Sequence, residues 1–295
     1  MSDFHISVMV DEVLQLLDIK KKSWYIDCNL GGGGHTKGIL DKGGSVVGID
    51  LDKDAINEVS KSLKEYIDTK KLILIQDNFS HLKEIVKRLD KKPISGILFD
   101  LGVSSHQLET PNRGFSFNSD GPLDMRMDQS AQQATAADLI NGLNETELLE
   151  LFWKLGEERF AKRIAERIVE ARRFKKIEDT NQLAQIITSV RPRLRTDRTH
   201  PATRVFQALR IAVNDELNSL KETLPQALEV LEQRGRLVVI SFHSLEDRIV
   251  KKFFDEEEDR GNLKILTDKP LTPEIEEIDL NPRSRSGKLR AAEKI

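Results

Sequence analysis

A single cysteine, Cys28, stands in a chain of 295 residues. That scarcity excludes an internal disulfide and any zinc site built on several cysteines. No apolar run approaches the eighteen or more residues of a membrane span, and the N-terminus does not read as a signal peptide. The expectation is a cytoplasmic protein with no membrane attachment. Hydrophobic content of 38% beside 32% charged residues describes a soluble globular chain, long enough for roughly two domains. Excess positive charge is missing as well. The net charge is −3, so any basic surface has to be local. No internal repeat is present.

Two further absences bound the stretch around which the chain is organised. Tyr25-Ile26-Asp27-Cys28 is short and rich in strand formers, Gly31-Gly32-Gly33-Gly34-His35 follows closely, and Thr36-Lys37-Gly38-Ile39-Leu40 opens a helix. Strand, glycine turn and helix form the first unit of an open α/β sheet. Glycines there let the backbone turn sharply and let a ligand come within contact distance. The third glycine of a dinucleotide fingerprint is lacking, since its position is Thr36 counted from Gly31 and Lys37 counted from Gly32. The Gly-Lys-Ser/Thr of a phosphate-binding loop is lacking too.

What is present instead is a carboxylate. The next strand, Ser45 to Leu51, carries Asp50 near its tip. A carboxylate about twenty residues past such glycines accepts hydrogen bonds from both hydroxyls of a ribose. This points to a site for an adenosine-containing cofactor. Asp27, within the first strand, would be badly placed beside a pyrophosphate and suits a cationic amino-acid end, which S-adenosylmethionine has. A nicotinamide cofactor, or a turn that is only structural, stays open on these residues alone.

Further strands are expected at Leu72 to Gln76 and Ile94 to Leu101, separated by helices at Ala55 to Tyr66 and Leu82 to Leu89. This alternation predicts a parallel doubly wound sheet. Phe79, just past the third strand, is placed to cover one face of an adenine. Asp100 ends the fourth strand at the carboxyl edge, where such folds bind ligands.

From His106 to Ala208 the pattern holds no convincing strand. An ordered loop is expected, then helices near Ala136 to Asn141, Glu145 to Leu155, Glu157 to Arg173 and Thr180 to Val190. Asn144 reads as the cap of the second. In the third, Phe160, Ile164 and Ile168 make an apolar stripe. A long helix opening at Pro201, with Val205, Leu209, Ala212, Val213 and Leu217 as its stripe, is expected to return the chain to the sheet. A helix from Pro225 to Glu232 and a strand from Arg236 to Phe242 follow. Ser241-Phe242-His243-Ser244 lies at the carboxyl end of that strand, with a helix from Leu245 after it. Leu263 to Leu266 and Lys288 to Ala292 are closing strands. The domain boundaries read as 1–105 with 209–295 for the sheet and 106–208 for an inserted helical domain.

Positive charge gathers in three places. One is the helix from Arg159 to Lys176, which includes Arg163. The second is the connection with Arg193, Arg195 and Arg204, and the third is the C-terminal set Arg283, Arg285, Lys288 and Arg290. Each alone is a solvated face. Three in an acidic chain favour a polyanion-binding surface. Phe115 and Phe117, beside Arg113, could stack unpaired bases or close the domain junction. The acidic segments Asp255 to Asp259 and Glu274 to Asp279 read as solvated surface.

These stretches resemble the bacterial small-subunit ribosomal RNA cytidine N4-methyltransferases, the RsmH or MraW type. The matching pieces are His5-Ile6-Ser7-Val8-Met9, Gly31 to His35, Asp100-Leu101-Gly102-Val103-Ser104-Ser105, Arg113-Gly114-Phe115-Ser116-Phe117, Asp120-Gly121-Pro122-Leu123-Asp124-Met125-Arg126, Gly156-Glu157-Glu158-Arg159, His200-Pro201-Ala202-Thr203-Arg204 and Ser241-Phe242-His243-Ser244-Leu245-Glu246-Asp247-Arg248. They cover nearly the whole chain in family order. One departure is Asn29, where the family usually has Thr.

The resemblance implies an α/β class I (Rossmann-like) methyltransferase sheet with an inserted all-helical domain. It implies S-adenosylmethionine as cofactor, held by Gly33, Gly34, His35, Asp50, Phe79, Asp100 and Gln107. The implied reaction is methyl transfer to the exocyclic N4 of one cytidine in the decoding region of 16S ribosomal RNA, on an assembled small subunit. Asp100 is the candidate catalytic acceptor for the amine, with Ser104, Ser105 and His243 as orienting groups. Cofactor binding alone remains an alternative role for Asp100. No metal is required, and oligomeric state, monomer or homodimer, is not decided.

Overall fold

Residues Ile94 to Phe99 are apolar at nearly every position, the pattern of a strand covered on both faces. In the computed structural model, which describes residues 7–89, 93–131, 134–191 and 199–295, that strand is the centre of a seven-stranded sheet. The strands are β1 (Trp24–Asp27), β2 (Ser45–Asp50), β3 (Leu72–Gln76), β4 (Ile94–Asp100), β5 (Leu231–Ser241), β6 (Leu263–Ile265) and β7 (Lys288–Lys294). Their order is β3-β2-β1-β4-β5-β7-β6. The first five pair in parallel, while β7 is antiparallel to both β5 and β6.

Successive side chains on a strand point to opposite faces, so each inner strand feeds two cores. Ile26, Val47, Ile97, Phe99 and Val239 enter one; Tyr25, Val46, Leu98, Val238 and Ile240 enter the other. Burying each such side chain contributes about 1.5–3 kcal/mol. Edge strand β3 is mostly half-buried, as an edge must be.

The chain divides into one unit of Met1–Ser104 with Leu217–Ile295 and a second of Ser105–Glu216. The second join falls later than the sequence pattern implied. The helix expected from Pro201 runs Thr203–Asn214 and stops at Asp215, whose φ of 50° is left-handed. Aspartate tolerates that conformation better than most residues. A new helix, Glu216–Val230, begins at once and carries Pro225 inside it, so Pro225 does not open the helix. The Arg234-Gly235 turn lies within β5, where pairing with β4 shifts register between Leu231 and Arg236.

The second unit is helical and contains no strand among its described residues, only a single bridge between Pro122 and Asp179. Asn144 caps the helix Glu145–Gly156: its side chain accepts the Glu147 N–H at 3.0 Å, and the Glu147 carboxylate accepts the Asn144 N–H at 2.7 Å. The following helix starts at Ala161 and not at Glu157, because Glu157 turns left-handed with φ 47°. Phe160 therefore leaves the apolar stripe and is 40% exposed, while Ile164 and Ile168 are buried. Buried Ile211, absent from the expected stripe, joins Val205 and Leu209 in the core. No helix among the described residues is long and apolar enough to cross a membrane.

Candidate active site at the carboxyl edge of the sheet

After β1 the chain must reverse within a few residues, and the glycines do so. Gly33 has φ 78° and caps the helix Gly34–Asp41. A Cβ on Gly33 would lie 2.9 Å from a Val59 methyl. One on Gly34 would lie 2.2 Å from Ser7 Oγ. The segment Ser7 to Met9 thus crosses directly over the turn. It is held by His35, whose Nε2 lies 2.9 Å from the Val8 carbonyl, and by Glu277, whose carboxylate accepts the Met9 N–H at 2.8 Å.

Three carboxylates end the strands beside this turn. Asp50 ends β2 and accepts the Gly31 N–H at 2.9 Å and the Asp52 N–H at 2.8 Å, one on each oxygen. A carboxylate offers about four lone-pair sites, so each oxygen retains one for a ribose hydroxyl. Burial pushes its pKa up to about 6 despite those two bonds. Asp100 ends β4, with its Oδ2 3.5 Å from His35 Nδ1. Since His35 Nε2 donates to a carbonyl, Nδ1 is the nitrogen left to face Asp100.

Asp27 corrects the sequence reading. Only 1% exposed, it accepts the Thr36 hydroxyl at 2.7 Å and the Asn29 N–H at 3.3 Å. Burial raises its pKa to about 6. It is a buried lock between β1 and the helix after the glycines, not a direct partner for a cofactor's ammonium. Thr36 was missed, although it occupies the position where a dinucleotide fingerprint would have its third glycine. A hydroxyl there was the available signal for a buried carboxylate in need of a donor.

Phe79 sits on a 3₁₀ turn (Phe79–His81) after β3, half-buried, with its ring edge-on to Phe99 at 5.6 Å between centroids. His243 lies just past the end of β5. It caps the helix Ser244–Asp259 reciprocally with Glu246: its Nδ1 accepts the Glu246 N–H at 3.4 Å, and the Glu246 carboxylate accepts the His243 backbone N–H at 3.2 Å. Its Nδ1 is occupied by the cap, while Nε2 is buried with no hydrogen-bond partner, 3.2 Å from the Glu246 carboxylate. Ser104 closes the sheet unit. Ser105 and buried Gln107 belong to the helical unit, on the short helix Ser105–Glu109.

The basic residues sort by burial. Arg113, 5% exposed, donates to the Arg126 and Met127 carbonyls and pins its loop, which corrects its reading as an RNA-binding residue beside Phe115 and Phe117. Phe115 is 6% exposed and so unavailable for stacking. Phe117 already stacks on His200 at 4.5 Å and meets Phe206 edge-on. Arg204 donates to the Glu157 carbonyl at 2.7 Å and ties two helices together. Lys288 and Arg290 both bind Asp247. Arg159, Arg163, Arg283 and Arg285 are exposed, whereas Arg193, Arg195 and His5 lie outside the described residues.

A match to the MraW methylase family spans residues 2–295. The chain belongs to that family. It is similar over its full length to a protein of Geotalea uraniireducens (48% identical, covering 100% of both chains) and to one of Carboxydothermus hydrogenoformans (46% identical, 99% of this chain and 98% of the relative). Each of these is named Ribosomal RNA small subunit methyltransferase H. Among solved structures, an rRNA methylase from Streptococcus thermophilus is similar with a TM-score of 0.45 at 13% identity, over 97% of this chain and 93% of that one.

S-adenosylmethionine is the cofactor of this methyltransferase family. The donor set suits it. Asn29 Oδ1 is buried beside the turn with no hydrogen-bond partner, an orphan acceptor of the kind an ammonium would satisfy. The glycine cradle leaves the space that side chains would fill, and Asp50 keeps acceptor capacity for a ribose.

Proposed function

We propose that this chain transfers a methyl group to the exocyclic N4 of a cytidine in the decoding region of small-subunit ribosomal RNA. Its family membership and the shared name of its relatives support the small subunit as substrate. The observation that carries the amine chemistry is Asp100, a carboxylate at the tip of the central strand with His35 Nδ1 3.5 Å away.

The bound cofactor supplies an electrophilic methyl on a cationic sulfur. Everything else falls to the protein. The cytosine amine is a weak nucleophile because its lone pair is delocalised into the ring, so the base has to leave its stack and be held in line. The Asp100 carboxylate accepts an amine N–H, which opposes that delocalisation and stabilises the positive charge growing on nitrogen. It is then the acceptor for the proton released. Asp50 and Asn29 hold the cofactor, while Asp27 and Thr36 keep the turn in shape. Exposed Arg159, Arg163, Arg283 and Arg285 contact phosphates, and the site of action is the cytoplasm.

Asp100→Asn removes the negative charge and nearly preserves shape. Methyl transfer to small subunits should fall by two orders of magnitude or more, as for other removed acid–base groups, while calorimetric cofactor binding changes far less. Retained turnover would remove Asp100 from the chemistry. Equal loss of binding and turnover would leave it as a cofactor ligand only.

A further inference from the structure

The exposed apolar residues are of two kinds. In the helical unit the large apolar side chains that reach solvent are Trp153, Phe160 and Phe174; in the sheet unit they are Leu271, Ile275, Leu280 and Ile295, among the described residues. Those of the helical unit are aromatic and those of the sheet unit aliphatic. A π-face serves a stacked base, whereas an aliphatic chain offers a base no such surface.

Phe174 is the extreme case, with 87% of its surface in water. Scattered exposed apolar residues are ordinary, so exposure alone decides nothing. Its setting does. Phe174 follows the helix Ala161–Arg172 in the run Arg172-Arg173-Phe174-Lys175-Lys176. Arg173, Lys175 and Lys176 are exposed, and none forms an ion pair among the described residues. The acids flanking the run along the chain are Glu170, already paired with Arg167, and Glu178.

The ring is also presented on ordered backbone. The Phe174 N–H donates to the Ala171 carbonyl at 3.1 Å, and the Arg173 N–H donates to the Glu170 carbonyl at 3.3 Å. Arg172 points the other way. It donates to the Ile140 carbonyl and, at 2.6 Å, to the Leu143 carbonyl, fastening the turn to the neighbouring helix. The run therefore uses one cation as an anchor and leaves three around an aromatic ring that the core does not use.

We infer that Phe174 is a stacking platform for an unpaired base of ribosomal RNA, with Arg173, Lys175 and Lys176 taking the adjacent phosphates. This rests on the reading of the chain as a ribosomal RNA methyltransferase and adds an RNA-binding residue to it. Stacking is neutral and phosphate pairing is ionic, so the two halves of the site carry different signatures.

The test measures affinity for unmodified small subunits and for free 16S ribosomal RNA as salt is varied. Phe174→Ala should weaken both about tenfold, the scale of removing one base stack, with an unchanged salt slope. Phe174→Trp should bind at least as well as the parent, and Phe174→Leu as poorly as alanine. Arg173→Glu with Lys175→Glu should flatten the slope by roughly 0.7 for each single-strand phosphate no longer neutralised. Calorimetric cofactor binding should be unaltered throughout. Parental affinity in Phe174→Ala overturns the inference, as does full retention in Phe174→Leu. Weakening confined to intact subunits would mean a ribosomal protein as partner, which also overturns it. A parent chain that binds neither RNA form brings down the underlying reading, a result distinct from the others.

Discussion

The two units handle charge in opposite ways. In the sheet unit the charge at the strand tips is negative and largely enclosed: Asp27 is buried and Asp50 half-buried, both pushed up to about 6, and Asp100 adds its charge to the field at Asp27. In the helical unit it is positive and exposed, on Arg159, Arg163, Arg173, Lys175 and Lys176. Buried carboxylates destabilise a fold unless donors meet them, which is why Thr36, Asn29, Gly31 and Asp52 all donate there. Exposed cations cost the fold little and give it little. The comparison separates a unit with enclosed carboxylates at its strand tips from one whose cations stay in solvent.

If that separation holds, substitutions in the two units should alter different measurements. The largest expected effect is that of Asp100→Asn on turnover. Next is Asp50→Ala, which removes charge-assisted acceptors worth about 1.5–3 kcal/mol each. Cofactor affinity should fall by ten- to a hundredfold or more with RNA affinity unchanged; unaltered calorimetry would show that the ribose is held elsewhere.

A pH series sharpens the same point. Folded Asp27 and Asp50 titrate near 6, against an ordinary value of 3.8. Between roughly pH 4 and 6 the native chain holds more protons than the unfolded one, so these groups subtract stability as pH rises through that window. Cofactor binding should move the other way, because Asp50 accepts from hydroxyls fully only as a carboxylate. Affinity at pH 5 should be about tenfold below that at pH 7.5. A flat profile would place the titrating carboxylate outside the cofactor site.

Smaller effects follow. Charge reversal at Arg159 and Arg163 should lower the salt slope of RNA binding by roughly 0.7 for each phosphate released and leave the cofactor untouched. The smallest is Asn29→Thr, which restores the residue usual in the family. Because a hydroxyl can still accept from an ammonium, cofactor affinity should change by less than tenfold, whereas Asn29→Ala should weaken it further. Equal affinities in all three would leave the orphan oxygen without a ligand role.

The sheet was legible because its strands are short apolar runs with carboxylates at their tips, and parallel order follows from helices between them. The site was legible in part. Asp50 and Asp100 could be read from position, since a strand tip fixes where a side chain must be. Asp27 was misplaced because spacing does not say whether a polar side chain already has a partner, which here is the Thr36 hydroxyl. Arg113 was misread for the same reason, since its Nη2 donates to two carbonyls of its own loop. Phe174 went unnoticed in sequence, since a lone phenylalanine among cations looks the same whether the ring is buried or 87% exposed.

The central claim is tested most directly by transferring labelled methyl from S-adenosylmethionine to small subunits lacking the modification, then mapping the labelled nucleotide. The account predicts a single cytidine in the decoding region, labelled on its exocyclic nitrogen, with Asp100→Asn nearly silent. Label on a different base, on a ring carbon, or in equal amount with Asp100→Asn would contradict it.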